Sequence, residues 1–189
     1  MCALTNGEVL RVGEVQLRPM TPADAPRCAE LEQTLFAGED PWSAAAFLAE
    51  MASGRNFCLV AELPTGHAGP TGQTTVVGYA ILGMAGPVDD PEFEIHTIGV
   101  DPSMQRRGIA RALMDQMMHA ADTYGGPVFL EVRVGNTPAS SMYEAYGFNY
   151  LGVRKNYYQP SGADAHTMRR DPRPLTHQEA TDQEGPTHD

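Results

Sequence analysis

Apolar and polar positions alternate from Val9 to Arg18, with Val9, Leu10, Val12, Val15 and Leu17 on the apolar side, which predicts an opening strand. Thr21-Pro22-Ala23-Asp24 then starts a helix. Thr21 offers a cap, Pro22 suits the first helical position, and Asp24 sits where a capping-box acid sits. Ala25, Cys28, Ala29, Leu31 and Leu35 form its apolar face, and Gly38-Glu39-Asp40-Pro41 breaks it. Ser43 caps a second short helix with Phe47, Leu48 and Met51 turned inward. Phe57 to Glu62 reads as a strand, and Pro64 to Gln73 as a mobile Gly/Pro-rich hairpin loop. Thr74 to Met84 is nearly all apolar, which predicts a strand buried on both faces. A turn at 86–91 leads to the next strand, Phe93 to Val100. Ile109, Leu113, Met117 and Ala120 carry helical spacing through a helix from Arg107 to Tyr124, closed by Gly125-Gly126. Val128 to Val132 is a strand, and Thr137 to Tyr146 a helix stopped at Gly147. Phe148 to Val153 and Ala165 to Arg169 are strands across a loop at 156–162.

Hairpins next to a strand-helix-strand crossover imply an α/β fold of the mixed α+β kind. It has one mixed, mostly antiparallel sheet of about seven strands, with helices on both faces. The 189 residues suit one domain over 1–170, with an acidic, disordered tail over 171–189.

Charge narrows the partners. Thirteen basic against 24 acidic residues give a net charge of −11, which argues against nucleic acid and suits a cationic substrate. No apolar run approaches the roughly 20 residues that span a bilayer, so no membrane partner is expected. The first eight residues carry neither a basic nor an apolar signal region. Cys2, Cys28 and Cys58 are widely spaced and read as free thiols of a cytoplasmic protein. The histidines are scattered, so no metal site is expected.

Chemistry concentrates in two stretches. In the first, Ile95 to Val100 is a strand that Asp101-Pro102 ends, and Gln105 to Gly108 is a basic loop before a helix. Unpaired N–H groups and the helix dipole make such a helix start an anion site, and Gly108 lets the anion close to the backbone. Taken alone, it is equally an ordinary strand-loop-helix unit with a solvated turn.

Gln105-Arg106-Arg107-Gly108-Ile109-Ala110 resembles the acetyl-CoA pyrophosphate loop of the GNAT acetyltransferase superfamily, with Ala110 in place of the commoner second glycine. The second stretch, Leu130-Glu131-Val132-Arg133 through Asn136, Tyr143-Glu144 and Gly147-Phe148, is similar to a segment of that superfamily's RimI-like branch. Gly135 stands where related chains often have Ser. Pro41-Trp42-Ser43 and Arg154-Lys155-Asn156-Tyr157-Tyr158 are similar to two further segments of the branch, in the same order along the chain.

The resemblance implies N-α-acetyltransferase activity that uses acetyl-CoA as cosubstrate. Its acceptor is a protein or peptide N-terminus of the alanine type, as in a small-subunit ribosomal protein. It also implies roles. Ile98, Gly99 and Val100 offer backbone groups to the acetyl carbonyl and the pantetheine arm. Arg106, Arg107, Gly108, Ile109, Ala110 and Arg111 bind the pyrophosphate, and Asn136 bonds the cofactor arm. Glu131 is the general base and Tyr143 the general acid of a direct attack. Trp42, Tyr157 and Tyr158 hold the acceptor peptide.

The chemistry fits an α-amine. Deprotonation at pH 7 costs an α-amine about 1.4 kcal/mol and a lysine about 4.6 kcal/mol, so one carboxylate covers the first more readily. Without the resemblance, Glu131 and Arg133 share a strand face and would pair with each other, while Trp42 and Tyr143 would be core residues and Tyr157 and Tyr158 packing. Two alternatives stay open: an acetyltransferase for lysine, polyamine or another small amine, and a non-catalytic acyl-CoA-binding module.

Overall fold

Gly13, at φ +60°, turns the opening apolar stretch back on itself. Leu10–Val12 (β1) and Val15–Pro19 (β2) pair antiparallel, with Leu10 opposite Leu17. The single strand expected there is a hairpin, and the sheet has eight strands where about seven were expected. The structure is a computed structural model that describes residues 10–64 and 74–173. The Gly/Pro-rich loop (from residue 65), the N-terminal residues and the tail from 174 lie outside the described residues.

The helical face expected from Thr21 onward forms as Ala25–Leu35 (α1), entered through a short 3₁₀ turn. The Thr21 N–H and hydroxyl both donate to Asp24 Oδ2, at 2.7 and 2.8 Å. The Arg18 guanidinium grips Asp24 with Nη1 and Nη2 and Glu62 with Nε, which ties the start of the helix to the sheet. Ala44–Ala52 (α2) is capped by Ser43, whose side chain accepts from the Ala46 N–H. Phe47 is fully buried, and Met51, one turn on, packs beside it. Leu48, expected inward, is exposed, because it follows Phe47 by about 100° around the helix.

The remaining elements are Phe57–Pro64 (β3), Thr74–Ala85 (β4), Glu92–Val100 (β5), Ile109–Tyr124 (α3), Val128–Arg133 (β6), Thr137–Ala145 (α4), Asn149–Tyr158 (β7) and Ala163–Arg170 (β8). α3 starts two residues later than expected, because Gly108 at its entrance is left-handed. β7 runs to Tyr158, so the first three residues of the loop expected at 156–162 are strand and the turn is confined to 159–162. Strand order is β1-β2-β3-β4-β5-β6-β8-β7, and every pair is antiparallel except β5 with β6.

The pleat splits the core in two. On β4, Tyr79 and Ile81 pack with Cys28, Leu31 and Phe47 of α1 and α2, while Ala80 and Leu82 pack with Ile109, Leu113, Met114 and Met117 of α3. Helices therefore cover both faces, as expected.

One irregularity positions the site. Ile81 lies opposite Thr97 and Leu82 opposite Ile95, so His96 is an extra residue in β5. Such a bulge bends its strand. β5 pairs with β6 only over Phe93–Ile95 and Val128–Leu130. Beyond that point β5 stays with β4, β6 stays with β8, and the two diverge.

Candidate active site

A cleft of about 1670 Å³ fills the space between the parting strands. One wall is β5 from Ile95 to Val100, and the other is the end of β6 from Glu131 onward. The starts of α3 and α4 close one end, and the end of α1 with the segment up to Trp42 closes the other.

The loop before α3 is built to receive an anion. Asp101 anchors its start, accepting from the Ser103 N–H and hydroxyl and from Arg27. Gln105 Nε2 donates to the Val100 carbonyl at 3.1 Å. Arg106 (φ +63°) and Gly108 (φ +83°) are both left-handed, and they curl the chain so that α3 begins abruptly at Ile109. The first intrahelical bond runs from the Ala112 N–H to the Gly108 carbonyl, which leaves the N–H groups of Ile109, Ala110 and Arg111 without helical partners. Arg106, Arg107 and Arg111 are exposed and, among the described residues, form no ion pair. These donors and charges fit a diphosphate. Arg106, Gly108, Ile109, Ala110 and Arg111 line the cleft; Arg107 does not.

Beyond Ile95, β5 has no strand partner on its β6 side, so the main-chain groups of the Ile98–Val100 stretch that turn away from β4 face the cleft, the Val100 carbonyl already accepting from Gln105. Gly99 carries a second constraint. A Cβ there would fall 2.4 Å from the Tyr79 hydroxyl and 2.7 Å from Leu35 Cδ1. Tyr79 is wholly buried, so Gly99→Ala is expected to destabilise the fold by about 1–3 kcal/mol, read as a lower urea midpoint at unchanged slope. Asn136 caps α4 by accepting from the Ala139 N–H through Oδ1, which leaves its side-chain N–H₂ to donate into the cleft.

Glu131 is the first residue of β6 past the last pair with β5. Its side chain is 11% exposed and lines the cleft. Arg133 is not its partner: Glu131 accepts from Arg154 Nη1 at 2.9 Å, and Arg133 pairs with Glu39 across the cleft. Tyr143 lies on α4 with its ring edge against Phe148, 6% exposed, and also lines the cleft. Burial pushes its hydroxyl well above the usual tyrosine range, with the neighbouring Tyr158 adding to the shift. A raised value keeps the phenol protonated to higher pH. At saturating acceptor, kcat is therefore expected to show no alkaline fall centred near pH 10, where an ordinary tyrosine loses half its protons.

Trp42 is half-buried, edge-on to Phe47 at 5.6 Å and tilted against His96 at 6.3 Å. Tyr158 lines the cleft, while Tyr157 lies outside it, its ring 4.5 Å from the Arg154 guanidinium carbon. Sequence reasoning missed Glu32, Glu39, His96 and Arg154. Glu32 left a trace, being an acid one turn after Cys28 on the apolar face of α1. Among the described residues, no group of three or more histidine, cysteine or acidic side chains is placed to hold a metal.

Comparison with known proteins agrees with this geometry. Residues 26–148 match the model of the acetyltransferase (GNAT) family. The N-alpha-acetyltransferase RimI of Mycobacterium tuberculosis is 46% identical over 157 residues, which is 83% of this chain and 92% of that protein. The ribosomal protein bS18-alanine N-acetyltransferase of Escherichia coli K12 is 40% identical over 68 residues, 35% of this chain and 46% of that enzyme. The crystal structure of the ribosomal-protein-S18-alanine N-acetyltransferase from Escherichia coli superposes with TM-score 0.66 at 25% identity, over 86% of this chain and 97% of that one. Arabidopsis thaliana NAA60 in complex with acetyl-CoA shares the fold, with TM-score 0.71 at 17% identity over 83% and 98% of the two chains. The sheet that parts at a bulge, the anion loop and these matches together establish that this chain belongs to the GNAT family of acetyltransferases.

Proposed function

We propose that this protein is an N-α-acetyltransferase that moves an acetyl group from acetyl-CoA to the N-terminal amine of an alanine-led protein, with a ribosomal protein as its cellular substrate. The observation that carries the reading is Glu131, placed where β5 and β6 part and sharing one cleft with Tyr143 and the start of α3. Acetyl-CoA supplies the thioester, its diphosphate held by the N–H groups of Ile109 to Arg111 with Arg106 and Arg111 beside them. Main-chain groups of Ile98 to Val100 and the Asn136 amide hold the arm.

Glu131 takes the proton that the α-ammonium must lose before nitrogen can attack. Its ion pair with Arg154 does not prevent this. The Arg154 side chain is 58% exposed, and exposed pairs are weak and easily exchanged. Tyr143 keeps its proton at working pH and offers it to the departing sulfur. Full transfer to a thiolate is uphill already for an ordinary tyrosine, by roughly 2 kcal/mol. A hydrogen bond that stabilises the thiolate therefore matters more than complete transfer. Trp42 and Tyr158 flank the acceptor end of the cleft, and Tyr157 steadies Arg154 from outside it.

No described helix is long and apolar enough to cross a membrane, and the proposed reaction belongs in the cytoplasm. Mass spectrometry of alanine-led peptides incubated with acetyl-CoA tests the reading. A single acetyl group on the α-amine is expected. Modification confined to lysine side chains, or to polyamines in a parallel panel, would replace it with the small-amine alternative.

A further inference from the structure

Glu32 is a buried carboxylate that the chemistry above does not use. It lies on α1, 2% exposed, and forms part of the cleft wall. Its Oε1 accepts from the Tyr79 hydroxyl at 2.7 Å and the Thr97 hydroxyl at 2.7 Å, and its Oε2 accepts from the Trp42 N–H at 3.3 Å. A carboxylate has about four acceptor positions, so one on Oε2 stays open.

The three glutamates of the cleft differ in one respect. Glu131 is paired with Arg154 and Glu39 with Arg133, but Glu32 has no cationic partner among the described residues. Neutral donors alone leave a buried carboxylate short of compensation, and a cation arriving at the open position supplies it. Its neighbours say which cation. Thr97 precedes Ile98, the first residue assigned to the acetyl arm, and Trp42 flanks the acceptor end. Glu32 stands where donor and acceptor halves meet.

We propose that Glu32 receives the α-ammonium of the incoming N-terminus, a specificity-determining carboxylate distinct from Glu131. This rests on Glu131 being the base. An α-amine with pKa near 8 arrives mostly as a cation at pH 7. Glu32 accepts one of its N–H bonds. Glu131 then takes the proton of another N–H, which frees the nitrogen lone pair to form the new C–N bond as the acetyl C–S bond breaks; the further proton that the nitrogen sheds in becoming an amide balances the one that the departing thiolate gains. Acceptors that carry no cationic amine gain nothing from Glu32.

The test is equilibrium binding to the Glu131→Gln variant loaded with CoA, which lacks an acetyl group to transfer. The probes are an alanine-led peptide and the same peptide with propionyl in place of alanine, which lacks only the amine. The ammonium peptide is expected to bind roughly 10- to 100-fold more tightly, the span of a hydrogen bond to a charged group. Adding Glu32→Gln is expected to erase that preference. Adding Thr97→Val, which removes one donor and keeps the carboxylate, is expected to retain it. If Glu131→Gln alone shows no preference, Glu131 is the ammonium site and the proposal fails. Preference that survives Glu32→Gln, or that Thr97→Val abolishes equally, also overturns it. Where the Gln double variant does not fold, Glu32→Asp, which withdraws the carboxylate by one methylene, takes its place with the same expectation. Turnover of Glu131→Gln on acetyl-CoA at the wild-type rate would sink the base assignment separately.

Discussion

Glu131→Gln is expected to lower kcat by about 10²- to 10⁴-fold while the affinity for acetyl-CoA stays within a factor of two. The substitution keeps the size of the side chain and removes its ability to take a proton. The diphosphate donors lie on α3 and its loop, and none of them touches Glu131. Arg154, itself exposed, loses one partner, which changes stability little. The defect should therefore be one of chemistry, visible in kcat rather than in cofactor binding. It should also shrink as pH rises. Above the α-amine pKa near 8 the acceptor arrives neutral, and the base has less to contribute. A rate that keeps more than a tenth of the wild-type value at pH 7, with no such pH trend, would show that another group or bulk water carries the proton. A lysine acceptor should suffer more from the loss, since its amine costs about 4.6 kcal/mol to deprotonate at pH 7 against about 1.4 for the α-amine.

The distinction matters because the chain carries several acidic groups at this end of the cleft, and position separates their roles. Glu131 projects from a strand that has just lost its neighbour, so its carboxylate meets open space on the cleft side and an exposed guanidinium on the other. Glu32 is held by three donors from three different segments and cannot move without disturbing Tyr79, Thr97 and Trp42. A proton acceptor must exchange partners during turnover, and a fixed charge must not. The weak pair suits the first task and the buried network the second.

How far local pattern reaches is clear from particular residues. Helical spacing from Ile109 to Ala120 and the caps at Thr21 and Ser43 depend on near neighbours in sequence, and they are legible. The turn at Gly13 is masked by the apolar residues on either side of it, Leu10 and Val12 before and Val15 and Leu17 after, and its one local sign is the three-residue step from Val12 to Val15 that breaks the alternation. β7 is exposed along almost its whole length at the sheet edge, so no periodicity marks where it ends. Phe93 to Val100 reads as one uninterrupted strand, yet only three of its residues pair with β6. The divergence that makes the cleft comes from one extra residue, His96, which counts only against the register of β4. Ion pairs follow the same rule. Glu131 and Arg133 alternate onto one face and look like partners, but their real partners are Arg154 and Glu39, brought in by the folding of β7 and of the segment after α1. Local sequence therefore offers candidates for the site as residue types in a motif, and it does not reveal their pairing.

Gly108→Val is expected to remove most of the stabilisation that acetyl-CoA confers. Gly108 sits at φ +83°, a region that a β-branched residue adopts only under strain. Space is not the obstacle. A Cβ at this position meets only Val12 Cγ1, at 3.6 Å, an ordinary contact. The folded protein is thus expected to survive with a loss of about 1–3 kcal/mol, the cost of one strained residue. To relieve that strain the turn must unwind, and the N–H groups of Ile109, Ala110 and Arg111 then lose their common direction. Acetyl-CoA at a hundred times its wild-type Kd stabilises the native protein by about 2.7 kcal/mol. A hundredfold weaker Kd leaves about 0.4 kcal/mol at the same concentration, a difference that thermal shift resolves easily. Arg107→Ala is the natural control, since Arg107 belongs to the same loop but stays outside the cleft. Its ligand-induced shift should remain near the wild-type value and lose only a salt-dependent fraction. If Gly108→Val kept its full shift, the diphosphate would have to sit elsewhere. The left-handed turn would then be only a way to start α3.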